Sequence, residues 1–211
     1  MDSQTFWNEV GSKKDFEDPL YVDRLKPYID SQSSIVEYGC GYGRLLNLLF
    51  LKGYRNLAGY DFAKKMVERG NKTFPHLKLF HIPKSGEIPL EVRQCDVVIL
   101  STILCCTVDR REQVKIIDEV HRILKPGGII YISDFIICDH PRYRDKYLEG
   151  EKVYGEWGIY TTSEGITVRH HSTKWVMELL KDFDIQWFEQ FDFKTMNQNY
   201  ARTFHLIAKA E

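Results

Sequence analysis

Val36-Glu37-Tyr38-Gly39-Cys40-Gly41-Tyr42-Gly43-Arg44 is an apolar run that stops at three alternating glycines. It reads as a strand, a tight turn and the start of a helix. Glycine lets the backbone take positive φ and lets another group approach it closely. A helix N-terminus beyond such a turn offers free N–H groups to an anion. A dinucleotide fingerprint has the pattern G-x-G-x-x-G. Here the third glycine comes one residue early, at Gly43, and Arg44 occupies the dinucleotide position. An acid, Glu37, stands two residues before the first glycine, and a second, Asp61, ends the next apolar run. A carboxylate at a strand end can accept two hydrogen bonds from ribose hydroxyls. A tight turn with no ligand explains neither acid.

Outward from this turn, apolar runs alternate with helical stretches from Ser33 to Phe135. Arg44 to Lys52 carries Leu45, Leu46, Leu48, Leu49 and Leu51, which predicts a helix buried on most of its surface. Asn56 to Tyr60 predicts a second strand, Ala63 to Lys72 a polar helix and Leu77 to Ile82 a third strand. Asp96-Val97-Val98-Ile99-Leu100 is apolar without a break after its first residue, as in a parallel strand covered on both faces. Arg111 to Leu124 is an amphipathic helix stopped by Lys125-Pro126-Gly127-Gly128. Ile129 to Phe135 is the next strand. This alternation predicts an α/β, doubly wound, mostly parallel sheet built from right-handed βαβ units.

The flanks read differently. Phe6, Trp7 and Val10 suggest one short helix and Leu20 to Ile29 another, forming a helical cap over residues 1–30. An inserted segment at about 139–170 is charged, aromatic and broken by Gly155, Gly158 and Gly165; it is placed over the carboxyl edge of the sheet. Lys174 to Phe183 reads as a helix, and Ile185 to Phe193 and Thr203 to Ala208 as two antiparallel strands. One domain is expected over 1–211.

Composition narrows the function. The chain has 211 residues, with 29 Lys+Arg against 30 Asp+Glu, so no broad basic field attracts nucleic acid. No apolar run reaches the roughly 18 residues of a membrane span. The start, Met1-Asp2-Ser3-Gln4-Thr5, lacks a secretory layout, and a cytoplasmic protein is expected. Five cysteines without C-x-x-C spacing argue against a disulfide framework or a zinc site. A small-molecule substrate is expected, with no nucleic acid, membrane or metal partner, in a monomer or homodimer.

Acid-x-Gly-x-Gly-x-Gly, the strand-end Asp61 and Lys125-Pro126-Gly127-Gly128, in this order and spacing, resemble class I S-adenosylmethionine-dependent methyltransferases. The resemblance implies a Rossmann-like sheet of seven strands whose last strand is antiparallel, and S-adenosyl-L-methionine as cofactor. It implies that Glu37 and the turn Gly39, Cys40, Gly41 and Gly43 hold the methionine part. Asp61 would bind the ribose, with Phe62 beside the adenine. Asp96 and the stretch from Ser101 to Cys105 would face cofactor and acceptor. Many members carry an acid after the third strand; His81-Ile82-Pro83-Lys84-Ser85-Gly86 has none, which leaves the adenine to backbone groups or Ser85. The implied activity is O-, N- or S-methylation of a small acceptor. Two alternatives stand beside it: a non-catalytic module that binds S-adenosylmethionine, and a nucleotide-dependent oxidoreductase on a similar sheet.

A neutral acceptor needs a base, and histidine titrates nearest to physiological pH. Of seven histidines, His140, His170 and His171 lie in or beside the insertion, with His171 and His170 preferred. Arg169-His170-His171 also reads as a polar turn before a helix capped by Ser172 or Thr173. Asp134 ends the fifth strand and reads equally as an acceptor ligand or a turn acid. Cys105, beside Cys106, follows the fourth strand; vicinal thiols can take soft metals, though a small buried residue is the stronger reading. Trp7, with Phe6, Phe16 and Tyr21, reads either as an aromatic face near the sulfonium on the acceptor side or as ordinary helix packing, and Asn197 either as an acceptor-side residue or as a hairpin turn residue. Arg142, Arg144 and Lys146 read as a solvated face offset by Asp139, Asp145, Glu149 and Glu151.

Overall fold

The computed structural model describes residues 2–195 and 199–211. Its helices are α1 (Ser3–Glu9), α2 (Val22–Leu25), α3 (Arg44–Leu51), α4 (Lys64–Thr73), α5 (Arg110–Ile123), α6 (Pro141–Tyr154) and α7 (Thr173–Leu179). Its strands are β1 (Ile35–Tyr38), β2 (Leu57–Asp61), β3 (Lys78–His81), β4 (Cys95–Ser101), β5 (Leu124–Phe135), β6 (Ile159–Thr161), β7 (Thr167–Arg169), β8 (Phe183–Lys194) and β9 (Tyr200–Ala210). Seven of them form one sheet in the order β3-β2-β1-β4-β5-β9-β8, and β6 and β7 form a separate hairpin. Strands β1 to β5 pair in parallel, while β9 runs antiparallel to both β5 and β8. This is the expected doubly wound sheet with its last strand reversed.

The strand order reverses between β1 and β4, because the chain moves outward to β3 and then returns past β1. Such a switch point opens a crevice beyond the carboxyl ends of the strands. The glycine turn sits there because it directly follows β1. Burial holds β4 in place from both faces. Val98 and Leu100 join one core with Ile116 and Val120 of α5, whereas Val97 and Ile99 join the other with Leu46 and Leu49 of α3. Alternate residues of a strand point to opposite faces, so an unbroken apolar run is what this position requires.

The flanks depart from expectation. The helix expected from Leu20 to Ile29 is a four-residue α2 followed by a single 3-10 turn, Lys26–Tyr28. Pro27 accounts for this: it donates no backbone hydrogen bond and disfavours helix at the residue before it. Helix α7 stops at Leu179, and Phe183 already pairs with Ala210 in the sheet. Leu180 and Phe183 are buried all the same, so an apolar pattern that imitated a helix comes from a turn entering a strand.

The insertion is helix α6 and the β6–β7 hairpin, packed together. Gly150 makes their contact possible, since a Cβ there would overlap the Ile159 carbonyl oxygen. The N-terminal cap is tied down by polar contacts. Gln4 Nε2 donates to the Phe62 carbonyl at 3.0 Å, and Asn8 Oδ1 accepts from Lys65 N at 2.9 Å, at the otherwise uncapped start of α4. Among the described residues no helix is long and apolar enough to cross a membrane.

Gly150→Ala forces α6 off the hairpin, and overpacking of this kind destabilises by about 1–3 kcal/mol. Urea unfolding should show that loss, while Glu149→Ala on the exposed face stays within about 0.5 kcal/mol of the parent. Equal midpoints for both variants would contradict the close packing of the insertion.

Candidate active site

Gly39, Gly41 and Gly43 all have positive φ, at 73°, 53° and 83°. A Cβ on Gly39 would overlap Ile103, and one on Gly41 would lie 2.9 Å from Met66 Cε. The turn is therefore both conformationally and sterically reserved for glycine. It is tied to the neighbouring strand: Gly39 N and Cys40 N donate to the Tyr60 carbonyl at 2.7 and 3.2 Å. Asp61 completes the clip. Its Oδ2 accepts from Gly41 N and its Oδ1 from Ala63 N, each at 2.7 Å. Each carboxylate oxygen retains further acceptor capacity. Burial pushes this carboxyl up to about 6, against the pull of those two N–H groups.

Glu37 is the unusual residue. It is 3% exposed, and its Oε2 has no hydrogen-bond partner among the described residues. Burial raises its carboxyl to about 8; Arg44 acts against that shift and Asp61 adds to it. Buried polar atoms are normally paired, so an orphaned carboxylate oxygen asks for an explanation. Glu37, Gly39, Gly41 and Asp61 line one side of a cavity of about 510 Å³. Ligand pockets of about 300–1,000 Å³ are typical. The orphaned acceptor and the glycine cradle fit a ligand carrying a cation beside a sugar.

The cavity also takes in Cys40, Phe62, Ser101, Cys105 and Trp7, all expected from the sequence. Phe16 joins Trp7 from the cap, and Phe135, Tyr143, Tyr160 and His170 form the far wall. The cap and the insertion meet through a Lys14–Glu164 ion pair. Gly43 stands behind the turn as the N-cap of α3, with Leu79 where a Cβ would go. Cys40 Sγ packs against Gly59. Cys105 and Cys106 bring their sulfurs to 3.7 Å, and the described residues contain no cluster suited to a metal ion.

Besides Gly43, four other expected site residues do not line the cavity. His140 caps α6, its Nδ1 accepting from Arg142 N at 3.2 Å, and its ring stacks on Tyr200. His171 is fully buried outside the cavity wall, with neither ring nitrogen paired. Asp134 lies 3.9 Å from His171 Nε2. It accepts from Phe135 N at 2.7 Å and Cys105 N at 3.1 Å, so it is a turn acid that pins the Cys105 segment to β5. Asp96 is the second residue of β4 and thus lies toward the opposite edge, bonded to Ser34 and Lys125. Asn197 falls outside the described residues, though its neighbours Thr195 and Asn199 line the cavity. Ser172 does cap α7, through Trp175 N.

His170 reaches the cavity in an unexpected form. Its Nδ1 lies 2.6 Å from Tyr147 Oη and its Nε2 lies 3.1 Å from Tyr160 Oη. Burial, then His171 and Lys146, push it down to about 3. A neutral ring donates through one nitrogen and accepts through the other, so His170 joins two tyrosines into a chain. Tyr143, Tyr147 and Tyr160 are buried together, and two of them, Tyr143 and Tyr160, also line the cavity. Ser85 is likewise engaged, 2.7 Å from Tyr38 Oη, at the cavity edge.

Comparison with known proteins agrees with this geometry. Residues 36–132 match a family model described as a methyltransferase domain. The chain is 26% identical over 159 residues to a carboxy-S-adenosyl-L-methionine synthase of Trichodesmium erythraeum, covering 69% of this chain and 62% of that protein. It is 29% identical over 136 residues to an uncharacterized methyltransferase of Bacillus mycoides, covering 64% and 62%. The chain thus spans about 62% of the length of these curated relatives. Its fold superposes on a SAM-dependent methyltransferase from Methanosarcina mazei with a TM-score of 0.84, at 22% identity, covering 92% of this chain and 99% of that one.

The raised Glu37 carboxyl has a stability consequence. Folding favours its protonated form, so its burial is harmless below the ordinary value of 4.5 and increasingly destabilising as pH rises toward about 8. Glu37→Gln does not ionise. Without ligand, its stability relative to the parent should rise between pH 5 and 8, by at most about 1.4 kcal/mol per pH unit, and level off above that. Urea midpoints of both proteins across this range check it; a pH-independent difference would contradict the placement of Glu37.

Proposed function

We infer the activity of this chain from one premise: its 36–132 segment belongs to the class I S-adenosylmethionine-dependent methyltransferase family. The reading is a methyltransferase that acts on a small-molecule acceptor. The observation that carries it is the orphaned Glu37 carboxylate on the same cavity wall as the Asp61 clip. Glu37 and the Gly39–Gly41 backbone would hold the charged amino-acid end of S-adenosylmethionine. Asp61 would accept from the ribose hydroxyls, and Phe62 would lie against the adenine. S-adenosylmethionine supplies an electrophilic methyl carbon. The protein's part is to orient the partners and keep water out.

A small acceptor is supported by the lining and size of the cavity. Trp7 and Phe16 line the cavity from the cap and Tyr143 and Tyr160 from the insertion, and among the described residues its lining is mainly aromatic and apolar rather than a basic track for a polymer. Ser101 and Cys105 would lie near the reacting centre. On the acceptor wall, Tyr160 would touch the acceptor through its hydroxyl. His170 would be a positioning residue, since both its nitrogens are bonded and it stays neutral at physiological pH. His171 and His140 are not among the residues that line the cavity, and the reading gives neither a role.

Calorimetric titration should show binding of S-adenosylhomocysteine and none of NAD; NAD alone binding would favour the oxidoreductase alternative. Asp61→Asn should weaken S-adenosylhomocysteine by roughly tenfold or more, as for one charge-assisted hydrogen bond of about 1.5–3 kcal/mol. Unchanged affinity would contradict the ribose role. Binding without transfer of labelled methyl to any phenol, amine, thiol or carboxylate would instead indicate a binding module.

Tyr160→Phe should lower kcat by about a hundredfold or more, the scale of a positioned proton donor or acceptor, with cofactor affinity unchanged. His170→Asn should lower kcat less and leave KM near the parent's. Parental kcat in both variants would remove the tyrosine–histidine chain from the mechanism.

A further inference from the structure

The charges lining the cavity are almost all satisfied within the protein. Lys84 bridges Glu87, Glu112 bridges Lys115 and Glu164 bridges Lys14. Arg44 donates to the Asp18 carbonyl at 2.6 Å. Glu37 and Asp61 belong to the cofactor half. Three cavity-lining cations, Arg44, Arg142 and Lys146, have no carboxylate within 4.0 Å among the described residues; Arg44 is held by the Asp18 carbonyl and acts on the Asp18 and Glu37 carboxyls, which leaves Arg142 and Lys146 on the insertion wall. The acids nearest in sequence, Asp139, Asp145, Glu149 and Glu151, do not pair with them; Arg142 and Arg144 are exposed, as expected from the sequence, but the offset by contact with those acids is not what forms.

Their placement is unfavourable for the fold alone. They stand four residues apart on α6, so they share one face of the helix and repel by about 0.2–0.5 kcal/mol. Arg142 lies in the first turn of α6, where the helix dipole disfavours a cation. Lys146 Nζ lies over two aromatic rings, 5.8 Å from the Tyr143 centroid and 5.1 Å from that of Tyr160. Burial, and then Arg142, hold its ammonium below the ordinary lysine range. An anion placed between them would relieve the repulsion and complement the helix N-terminus together. The aromatic surface for the rest of such a ligand is already present in Tyr143, Tyr160 and Phe135.

We infer that this wall is an anion subsite: the acceptor is a small organic carboxylate whose negative group lies between Arg142 and Lys146, with its body on Tyr143, Tyr160 and Phe135. The word acceptor rests on the methyl-transfer reading; the subsite rests on the two unpaired cations. Arginine suits the role because its planar fork matches a carboxylate.

The test is calorimetric, on the protein saturated with S-adenosylhomocysteine. The probes are two acid–amide pairs, 4-hydroxybenzoate with 4-hydroxybenzamide and phenylacetate with phenylacetamide. At least one acid should bind about tenfold or more tightly than its amide, the scale of one charge-assisted hydrogen bond. The preference should vanish in the double variant Arg142→Gln/Lys146→Gln, with S-adenosylhomocysteine affinity as in the parent. Equal binding of acid and amide, binding of none of the four, or a preference that survives the double substitution overturns the subsite. Failure of S-adenosylhomocysteine to bind would instead remove the cofactor reading, and the same titration without it would still decide the subsite.

Discussion

A carboxylate buried at the end of the first strand, with one oxygen unpartnered, is the constraint around which the molecule is arranged. Taking a charge out of water is expensive, and Glu37 responds by holding its proton to about pH 8. Nothing in the fold requires an acid there; an apolar side chain would pack a strand covered on both faces more easily. The surrounding structure nevertheless preserves it. Three glycines keep the turn clear of side chains, Asp61 clips the turn to the next strand, and the reversal of strand order opens the crevice at that spot. Stability is given up locally for a site formed in advance.

The cavity has two halves of opposite character. One is made by the sheet itself, from the ends of β1, β2 and β4, and it carries the acids. The other is made by α6 and the β6–β7 hairpin, and it carries two unpaired cations and the tyrosines. The cap and the insertion close over both through the Lys14–Glu164 pair. The sheet half follows from the fold, whereas the other half depends on a segment attached to it, which is where substrate choice can change without altering the scaffold.

The glycine turn, Asp61 and the strand order were legible because each depends on local rules: positive φ, strand alternation and chain direction. Features that depend on facing were not. Asp96 lies at the beginning of β4, next to its first residue Cys95, so parallel direction sends it toward the edge opposite the site. His170 and His171 are neighbours whose rings go to different surroundings; residue identity alone does not say which ring meets the cavity. Asp134 read equally as a ligand or a turn acid, and the fold makes it a turn acid, because its oxygens accept from the N–H groups of Cys105 and Phe135. The Arg142–Lys146 pair was hidden by nearby acids, since proximity in sequence is not proximity on a helix face. Past Leu179, where α7 ends, a turn entering a strand continued the apolar spacing of the helix.

The most direct test of the central claim is proton release. S-adenosylhomocysteine is titrated into the protein at pH 7 in phosphate and in Tris, whose ionisation heats differ. A protonated Glu37 meeting the ligand's ammonium group should give up its proton, so the apparent heats should differ by on the order of one proton released per ligand, and Glu37→Gln should abolish the difference. Equal heats in the two buffers, or a release that persists in Glu37→Gln, would contradict the account.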